Sequence, residues 1–444
     1  MMKQYDSYKD SGVEWIGKIP NHWEVCRLKN YCSLSGRIGW NGLRSDEFQQ
    51  KSYAYLVTGQ DFIKADIDWE SCYQIDKDRY DEDPFIQLRN GDLLITKDGT
   101  IGKIAKVSGL DKPACLNSGI FVMKQKKNVF AQNYLYWMLV SDLLKDYNSY
   151  TSSGTTILHL YQNVFEKMPM VVPSLEEQEA IAIYLDNKCG EIDKAIATQE
   201  KRVELLKELR QNIITKAVTR GITPDAPLKD SGVEWIGAVP EHWDMKRIKH
   251  VCSINGRVGY RGYTTADLVP EGEGAYTIGG KHISNNVLDL TDAEYISWDK
   301  YFESPEIMVM KGDIVTAQRG SLGKTAIIRD EIGEATINPS LVLLNHISIY
   351  NEFLYWYLVS TPTLIAIELL NTSTAVPMVS QWQISNINIP VPPLSEQQEI
   401  VSYIESQTAR LDKSIEKAEH QIELLQELKQ SIITEVVTGK RKVD

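Results

Sequence analysis

The chain repeats itself, and this repeat constrains its fold more than any other feature of its 444 residues. Residues 9–42 (KDSGVEWIGKIPNHWEVCRLKNYCSLSGRIGWNG) return as residues 229–262 (KDSGVEWIGAVPEHWDMKRIKHVCSINGRVGYRG), with 20 of the 34 positions identical. A second pair closes each half: residues 172–219, opening VPSLEEQEAI, and residues 391–438, opening VPPLSEQQEI. Between these blocks the halves diverge but keep a frame. Asn90-Gly-Asp-Leu-Leu aligns with Lys311-Gly-Asp-Ile-Val, Gly99-Thr-Ile-Gly-Lys103 with Gly320-Ser-Leu-Gly-Lys324, and Tyr134-Leu-Tyr-Trp137 with Phe353-Leu-Tyr-Trp356. Self-similarity at a fixed offset marks repeated structural units.

Two globular modules, residues 1–173 and 222–393, are therefore expected, each followed by a helical segment, residues 174–221 and 394–444. Asp92–Thr96 and Ile307–Ala317 have the apolar, β-branched content of strands, and Asn133–Leu144 that of a helix, so the modules read as α+β. In the helical segments Ile192, Ile196, Val203, Leu206, Ile213 and Ala217 recur in steps of three and four. Leu411, Ile415, Ile422, Leu425, Ile432 and Val436 repeat the pattern. This is a heptad seam, broken in both copies by one basic residue, Arg210 or Lys429. A lone helix of this kind exposes an apolar stripe, so the pattern predicts that the two segments pair with each other as an antiparallel coiled coil. The alternative is that each packs on its own module. Ser174–Glu177 and Ser395–Gln398 both have the spacing of a capping box, two residues out of register with each other. Cys189-Gly190 is a candidate bend. The second helix ends where a cyclic chain would re-enter the first block, as in a ring opened at one point.

Two equal modules imply a two-part target, and their divergence an asymmetric one. The net charge is -12, which as a whole-chain sum argues against a nucleic-acid ligand. It is unevenly spread. Residues 1–173 hold 21 basic and 21 acidic side chains, whereas residues 222–393 hold 12 and 20. Basic residues still cluster locally, with Arg37, Arg44, Lys97 and Lys103 in the first module and Arg257, Arg261, Arg319 and Lys324 in the second, a pattern able to meet phosphates. The alternative for each is a solvated side chain. Six scattered cysteines without a CxxC pair argue against a zinc ribbon or a disulfide framework and fit a reducing cytoplasm. No apolar run approaches the roughly 18 residues of a membrane span.

SGVEWIGxxPxHW at both module starts, NGDLLITKDGTIGK and KGDIVTAQRGSLGK within them, and VPxLxEQ leading into a heptad helix that ends in IIT together resemble the specificity subunit of type I restriction–modification systems. The resemblance covers nearly the whole chain. It implies that each module is a target recognition domain reading one half of a bipartite sequence in double-stranded DNA. It further implies that the helices act as a spacer and dock two methyltransferase subunits, with two restriction subunits joining them. Methylation, translocation and cleavage would belong to those partners. One departure is SGRIGWNG and NGRVGYRG after the first strand, where Gly-Gly-Thr-Pro-Ser is common in the family. A coiled-coil adaptor that bridges two proteins without touching DNA is the competing reading.

On the shared glycine frame, Lys97-Asp98 aligns with Gln318-Arg319. One scaffold with different polar side chains suits two modules that read different bases. Arg pairs with guanine and Gln with adenine, each bidentate pair contributing about 1–3 kcal/mol of discrimination. Lys103 and Lys324, alike in both copies, suit phosphate positioning. Arg37 with Trp40, and Arg257 with Tyr260 and Arg261, are further candidates for basic and aromatic contact, with a packed aromatic at a turn as the alternative. No catalytic residue, metal or cofactor is expected. Gly320–Thr325 ends like a phosphate-binding loop, but position 318 is Gln where that motif requires Gly. Asn338-Pro-Ser lacks the second proline and the aromatic of an adenine-methyltransferase motif. His22 and His242, each in a Pro-x-His-Trp element, read as structural turns rather than general bases, and Asp92 and Asp313 as turn formers before a strand.

Overall fold

The computed structural model describes residues 4–37, 43–151, 160–371 and 375–443. Two compact units emerge, one formed by Met1–Gln199 with His420–Asp444 and the other by Glu200–Glu419. Each unit thus holds one module and one half of each long helix.

The first module opens with a hairpin, Tyr8–Asp10 against Lys18–Pro20. Glu24–Arg27 then pairs antiparallel with Pro169–Val172, a ribbon that delivers the chain into the first long helix. Between these strands lies an antiparallel sheet in the order Ile104–Lys106, Leu93–Thr96, Ile120–Gln125, Cys32–Ser35. A second sheet places Ala54–Val57 between Ala114–Leu116, which is parallel to it, and Tyr73–Ile75. The second module repeats this plan. Its hairpin is Leu228–Asp230 with Ala238–Pro240, its ribbon Asp244–Arg247 with Asn388–Val391, and its antiparallel sheet Ser253–Asn255, Leu341–Asn345, Ile314–Ala317, Thr325–Ile327. Its second sheet has five strands, with Gly274–Ile278 and Ala335–Ile337 as the parallel pair.

Two expected elements are subdivided. Ile307–Ala317 is not one strand: Met308–Val309 and Ile314–Ala317 belong to different sheets. Gly312, at φ +92°, makes the turn between them, and Asp313 accepts a hydrogen bond from Met310 N at 2.8 Å. Asp92 closes the equivalent turn by accepting from Arg89 N at 2.9 Å. The helical stretch breaks at Ser141 into Gln132–Val140 and Asp142–Thr151, because the Ser141 hydroxyl turns back to the Met138 carbonyl.

The long helices are Leu175–Arg220 and Leu394–Val437; the first passes through Cys189-Gly190 without interruption. In the second unit Lys207 pairs with Glu419 at 2.9 Å and Arg210 with Asp412 at 2.8 Å. One helix advances as the other retreats, so they run antiparallel there. In the first unit Lys429 pairs with Asp193 at 2.6 Å. Nearer the start of the first helix, the Tyr134 hydroxyl lies within reach of both Val171 O and Val437 O, which fixes the same antiparallel sense. The basic break in each seam is thus met by an aspartate of the other helix, and Asp193 and Asp412 are themselves equivalent in the repeat. Ile192, Val203, Ile415 and Ile432 are buried in the seam, while Ile196, Leu206, Leu411, Ile422 and Leu425 are half-covered. At one position the sequence register is off by a residue: Ile214 is fully buried and Ile213 only partly.

Both helices are anchored alike. Gln178 is buried, accepts from Ala131 N at 2.8 Å and donates to Pro173 O at 3.0 Å; Gln397 repeats this with Tyr350 N and Pro392 O, both at 2.8 Å. Of the two expected capping boxes only that of Ser174 forms: Ser174 N donates to the Glu177 carboxylate and Glu177 N to the Ser174 hydroxyl. Ser395 lies inside the second helix, which begins at Leu394 behind Pro393, so the second box is not formed. Each helix stops at a glycine, Gly221 or Gly439, both at φ +72°, the left-handed stop that glycine adopts without steric cost.

Candidate nucleic-acid interface

The glycine frame forms a tight turn between two strands of the antiparallel sheet, Leu93–Thr96 to Ile104–Lys106 in the first module and Ile314–Ala317 to Thr325–Ile327 in the second. Thr96 ties the first turn together, donating to Thr100 O and accepting from Lys103 N at 2.9 Å. In the second, Thr316 and Thr325 share a hydrogen bond of 2.7 Å beneath the loop. Gly99, Gly102, Gly320 and Gly323 all have φ between +68° and +85°, the region that side chains resist.

Two further loops converge on each turn through backbone bonds. Lys97 N donates to Gly119 O and Leu160 N to Lys97 O, both at 2.9 Å. Gln318 N donates to Ser340 O and Val379 N to Gln318 O, again both at 2.9 Å. The repeat therefore presents a three-loop cluster with one backbone plan and different side chains. The sequence pointed to neither the loop at Asn117–Gly119 (Asn338–Ser340 in the second copy) nor that at Leu160–Gln162 (Val379–Gln381) as part of an interface, and Asn338-Pro-Ser drew notice only as an incomplete methyltransferase motif. Their only sequence signals are the shared Asn117/Asn338 and Gln162/Gln381.

The candidate residues separate by exposure. Lys103, Arg44 and Arg319 are exposed, and Lys97 and Lys324 half-exposed. Lys97 Nζ lies 4.8 Å above the Phe121 ring. Arg319 has one guanidinium nitrogen 3.4 Å from the Met378 sulfur. Gln318 spends its amide donors on Pro339 O at 3.1 Å and Leu341 O at 3.3 Å, so it braces the turn rather than offering those donors outward. Arg261 is neutralised in part by Glu306 at 3.1 Å. Trp40 lies outside the described residues, as does the side chain of Tyr260.

Arg37 and Arg257 differ from expectation. Both are buried, at 2% and 5% exposure. Arg37 Nε donates to Leu116 O at 3.0 Å, and Arg257 Nε to Ile337 O at 3.2 Å. These carbonyls end the strands that lead into the Asn117 and Asn338 loops. Arg257 also donates to Thr336 Oγ1 at 3.0 Å. The guanidiniums therefore hold the two sheets of each module together instead of facing a ligand. Space requires the glycine before Arg37, since a Cβ on Gly36 would come 2.8 Å from the Phe121 ring and 3.1 Å from Ile120 O; one on Gly256 would come 2.3 Å from the far end of the Gln381 side chain and displace it.

His22 and His242 are not isolated bases. His22 Nε2 lies 2.9 Å from Glu177, and His242 Nε2 2.8 Å from Glu396, in the first turn of the long helices. Trp23 Nε1 also donates to Glu177, at 3.2 Å. A Cβ on Gly439 would meet Pro20 at 2.3 Å and Trp23 at 2.9 Å, and one on Gly221 would meet Trp243 at 3.2 Å. Each Pro-x-His-Trp element is thus a socket for the start of one long helix and the stop of the other. The buried thiols offer no nucleophile: desolvation pushes Cys115 up to about 11 despite the adjacent Arg37. Among the described residues no group of His, Cys, Asp and Glu is placed to hold a metal ion, and no single helix is long and apolar enough to cross a membrane.

The family model for the type I restriction modification DNA specificity domain matches twice, at residues 20–207 and 240–424. The type I restriction enzyme MjaVIII specificity subunit of Methanocaldococcus jannaschii is 26% identical over 96% of this chain and 94% of its own length. The type I restriction enzyme EcoBI specificity subunit of Escherichia coli is 24% identical over 79% and 73%. In fold, a chain solved in work on complex assembly and conformational transition of the type I R-M system aligns over 94% of this chain and 98% of its own, with a TM-score of 0.70 at 18% identity.

Proposed function

The chain belongs to the type I restriction–modification DNA specificity family, and from that premise we propose that each three-loop cluster reads one half of a split, asymmetric DNA sequence. The observation that carries this reading is the cluster itself, two copies of one backbone scaffold bearing different polar side chains at the same places. A reader of two half-sites needs that combination, since the backbone sets the approach to the groove and the side chains select the base edge. In the second module Arg319 makes the base contact, and Lys324 and its counterpart Lys103 position phosphates. In the first, Lys97 and Asp98 occupy the reading position. Arg44 adds a phosphate contact. Arg37 and Arg257 hold the loops from behind. The adaptor reading gives way, because the matched domain is a DNA specificity domain in both halves.

The long helices set the spacing of the half-sites and carry two methyltransferase subunits, to which two restriction subunits attach; modification and cleavage occur on those partners. Leu205 and Leu209 on the first helix, and the equivalent Leu424 and Leu428 on the second, are each about half exposed, one turn apart. Surface leucines at i and i+4 form an apolar strip on each helix, a fit for one partner helix apiece.

Methylome sequencing of the host with and without this gene tests the reading. One split motif should lose its methylation, and exchanging residues 222–393 for those of a relative should change only one half of that motif. Unchanged methylation in both experiments would remove the proposal.

A further inference from the structure

Trp382 is 73% exposed, a costly position for the largest apolar side chain. It lies on the short helix Gln381–Ser385, whose first turn is locked by a capping box between Ser380 and Gln383. The segment leading into this helix is tied to the reading turn by Val379 N to Gln318 O and Gly320 N to Pro377 O, both 2.9 Å. The helix that carries the ring is therefore anchored beside the turn that carries Arg319. Together they border a cleft of about 490 Å³, with Pro339 and Met378 as apolar walls and Ser380 and Gln381 as polar edges. A planar face, apolar walls, hydrogen-bonding edges and a cation at the rim match a nucleobase still joined to its phosphate.

The first copy offers an independent parallel. Tyr161, 63% exposed, stands at the start of the equivalent short helix Gln162–Phe165, next to Leu160, which is bonded to Lys97. The two rings are not at aligned positions, one preceding its helix and the other at its second residue. Each module has nevertheless placed one exposed aromatic ring on the same loop beside the same turn. Stacking on a base tolerates sequence, because every base has a π-face.

We infer that Trp382 is a stacking platform for one base displaced from the duplex stack within the second half-site, and that Tyr161 serves the first half-site likewise. The inference rests on the DNA-reading proposal and adds a local unstacking that major-groove reading alone does not require. It also predicts that the contacted step is easily unstacked, as pyrimidine–purine steps are.

The test uses the full chain assembled with its methyltransferase subunits and a duplex carrying its own motif. Trp382→Ala should weaken binding about tenfold, within the range of base–aromatic stacking, while Trp382→Phe stays near the parent. Duplexes with a single abasic position, walked through the second half-site, then locate the partner. At one position, removal of the base should make the parent and Trp382→Ala bind equally. If the difference persists at every abasic position, if Trp382→Ala binds like the parent, or if it lowers only the yield of assembled complex, the stacking role is overturned. If the parent itself does not distinguish the motif from a duplex with a scrambled second half-site, DNA reading fails and stacking falls with it.

Discussion

Arg257 is buried between the sheets of its module and Arg319 is exposed on a loop, so under the proposed reading their alanine variants should separate cleanly. Arg257→Ala leaves the Ile337 carbonyl and the Thr336 hydroxyl short of a buried donor. That costs about 1–3 kcal/mol, so the melting temperature should fall while the sequence read is unchanged. Arg319→Ala should leave melting unaltered and weaken discrimination at the second half-site alone, by about 1–3 kcal/mol per base pair. Competition binding with base-substituted duplexes measures it. Sequence alone could not tell these residues apart, since both are arginines near a glycine in a matched loop. Burial decided it, and burial depends on how the two sheets meet. Glu177 makes a separate prediction. Desolvation raises its carboxyl, but hydrogen bonds from His22 and Trp23 outweigh that and hold it below the ordinary 4.5. A carboxylate depressed by folding adds stability above its unfolded value and loses it as the pH falls through the folded one. Glu177→Gln should therefore melt below the parent near pH 7, with the gap closing in melts taken below about pH 4.

Each long helix was legible in outline from its heptad steps, because 3.5-residue periodicity survives any detail of packing. The exact seam was not: Ile214 rather than Ile213 is fully buried, where residues of both long helices join the core of the second module. The second capping box failed for a local reason, as Pro393 rather than a serine precedes Leu394. Ion pairing by Arg210 and Lys429 with Asp412 and Asp193 turns the two breaks in the seam into markers of register, a use of polar seam residues known from coiled coils. The outward leucines carry the element-scale prediction. Leu424→Glu with Leu428→Glu should release one methyltransferase copy and leave the fold intact, because both side chains already face solvent. Mass measurement of the assembled complex reads this directly; retention of both copies would place the docking surface elsewhere.

Across the whole molecule, the duplication foretold two alike α+β modules and the returning end of the second helix, but not the ribbons that lead into the long helices. It could not foretell the three-loop cluster, since two of those loops fall where the halves have diverged and come together through backbone bonds that no side-chain pattern announces. The return itself is explicit in the first unit. The Tyr8 hydroxyl donates to Gly439 O at 3.2 Å, and Lys442 Nζ lies 5.7 Å from the Tyr5 ring. Residues 443 and 4 can therefore be joined by a short flexible linker, and the chain reopened at the exposed Pro224-Asp225. Such a permuted chain should fold with an unchanged melting profile and direct methylation to the same motif; loss of either would show that the order of the halves matters.

Both Pro-x-His-Trp sockets receive one helix start and one helix stop, and neither distinguishes which half supplied them. A gene shortened to a single half would still encode one socket, one start and one stop. Its product should satisfy them by doubling with an identical copy, which equilibrium sedimentation would detect. The target of such a doubled protein would then read the same along both strands. Joining two halves in one gene is what frees each from that mirror constraint, so that mutation of one set of loops alters one word of the address and leaves the other as it was.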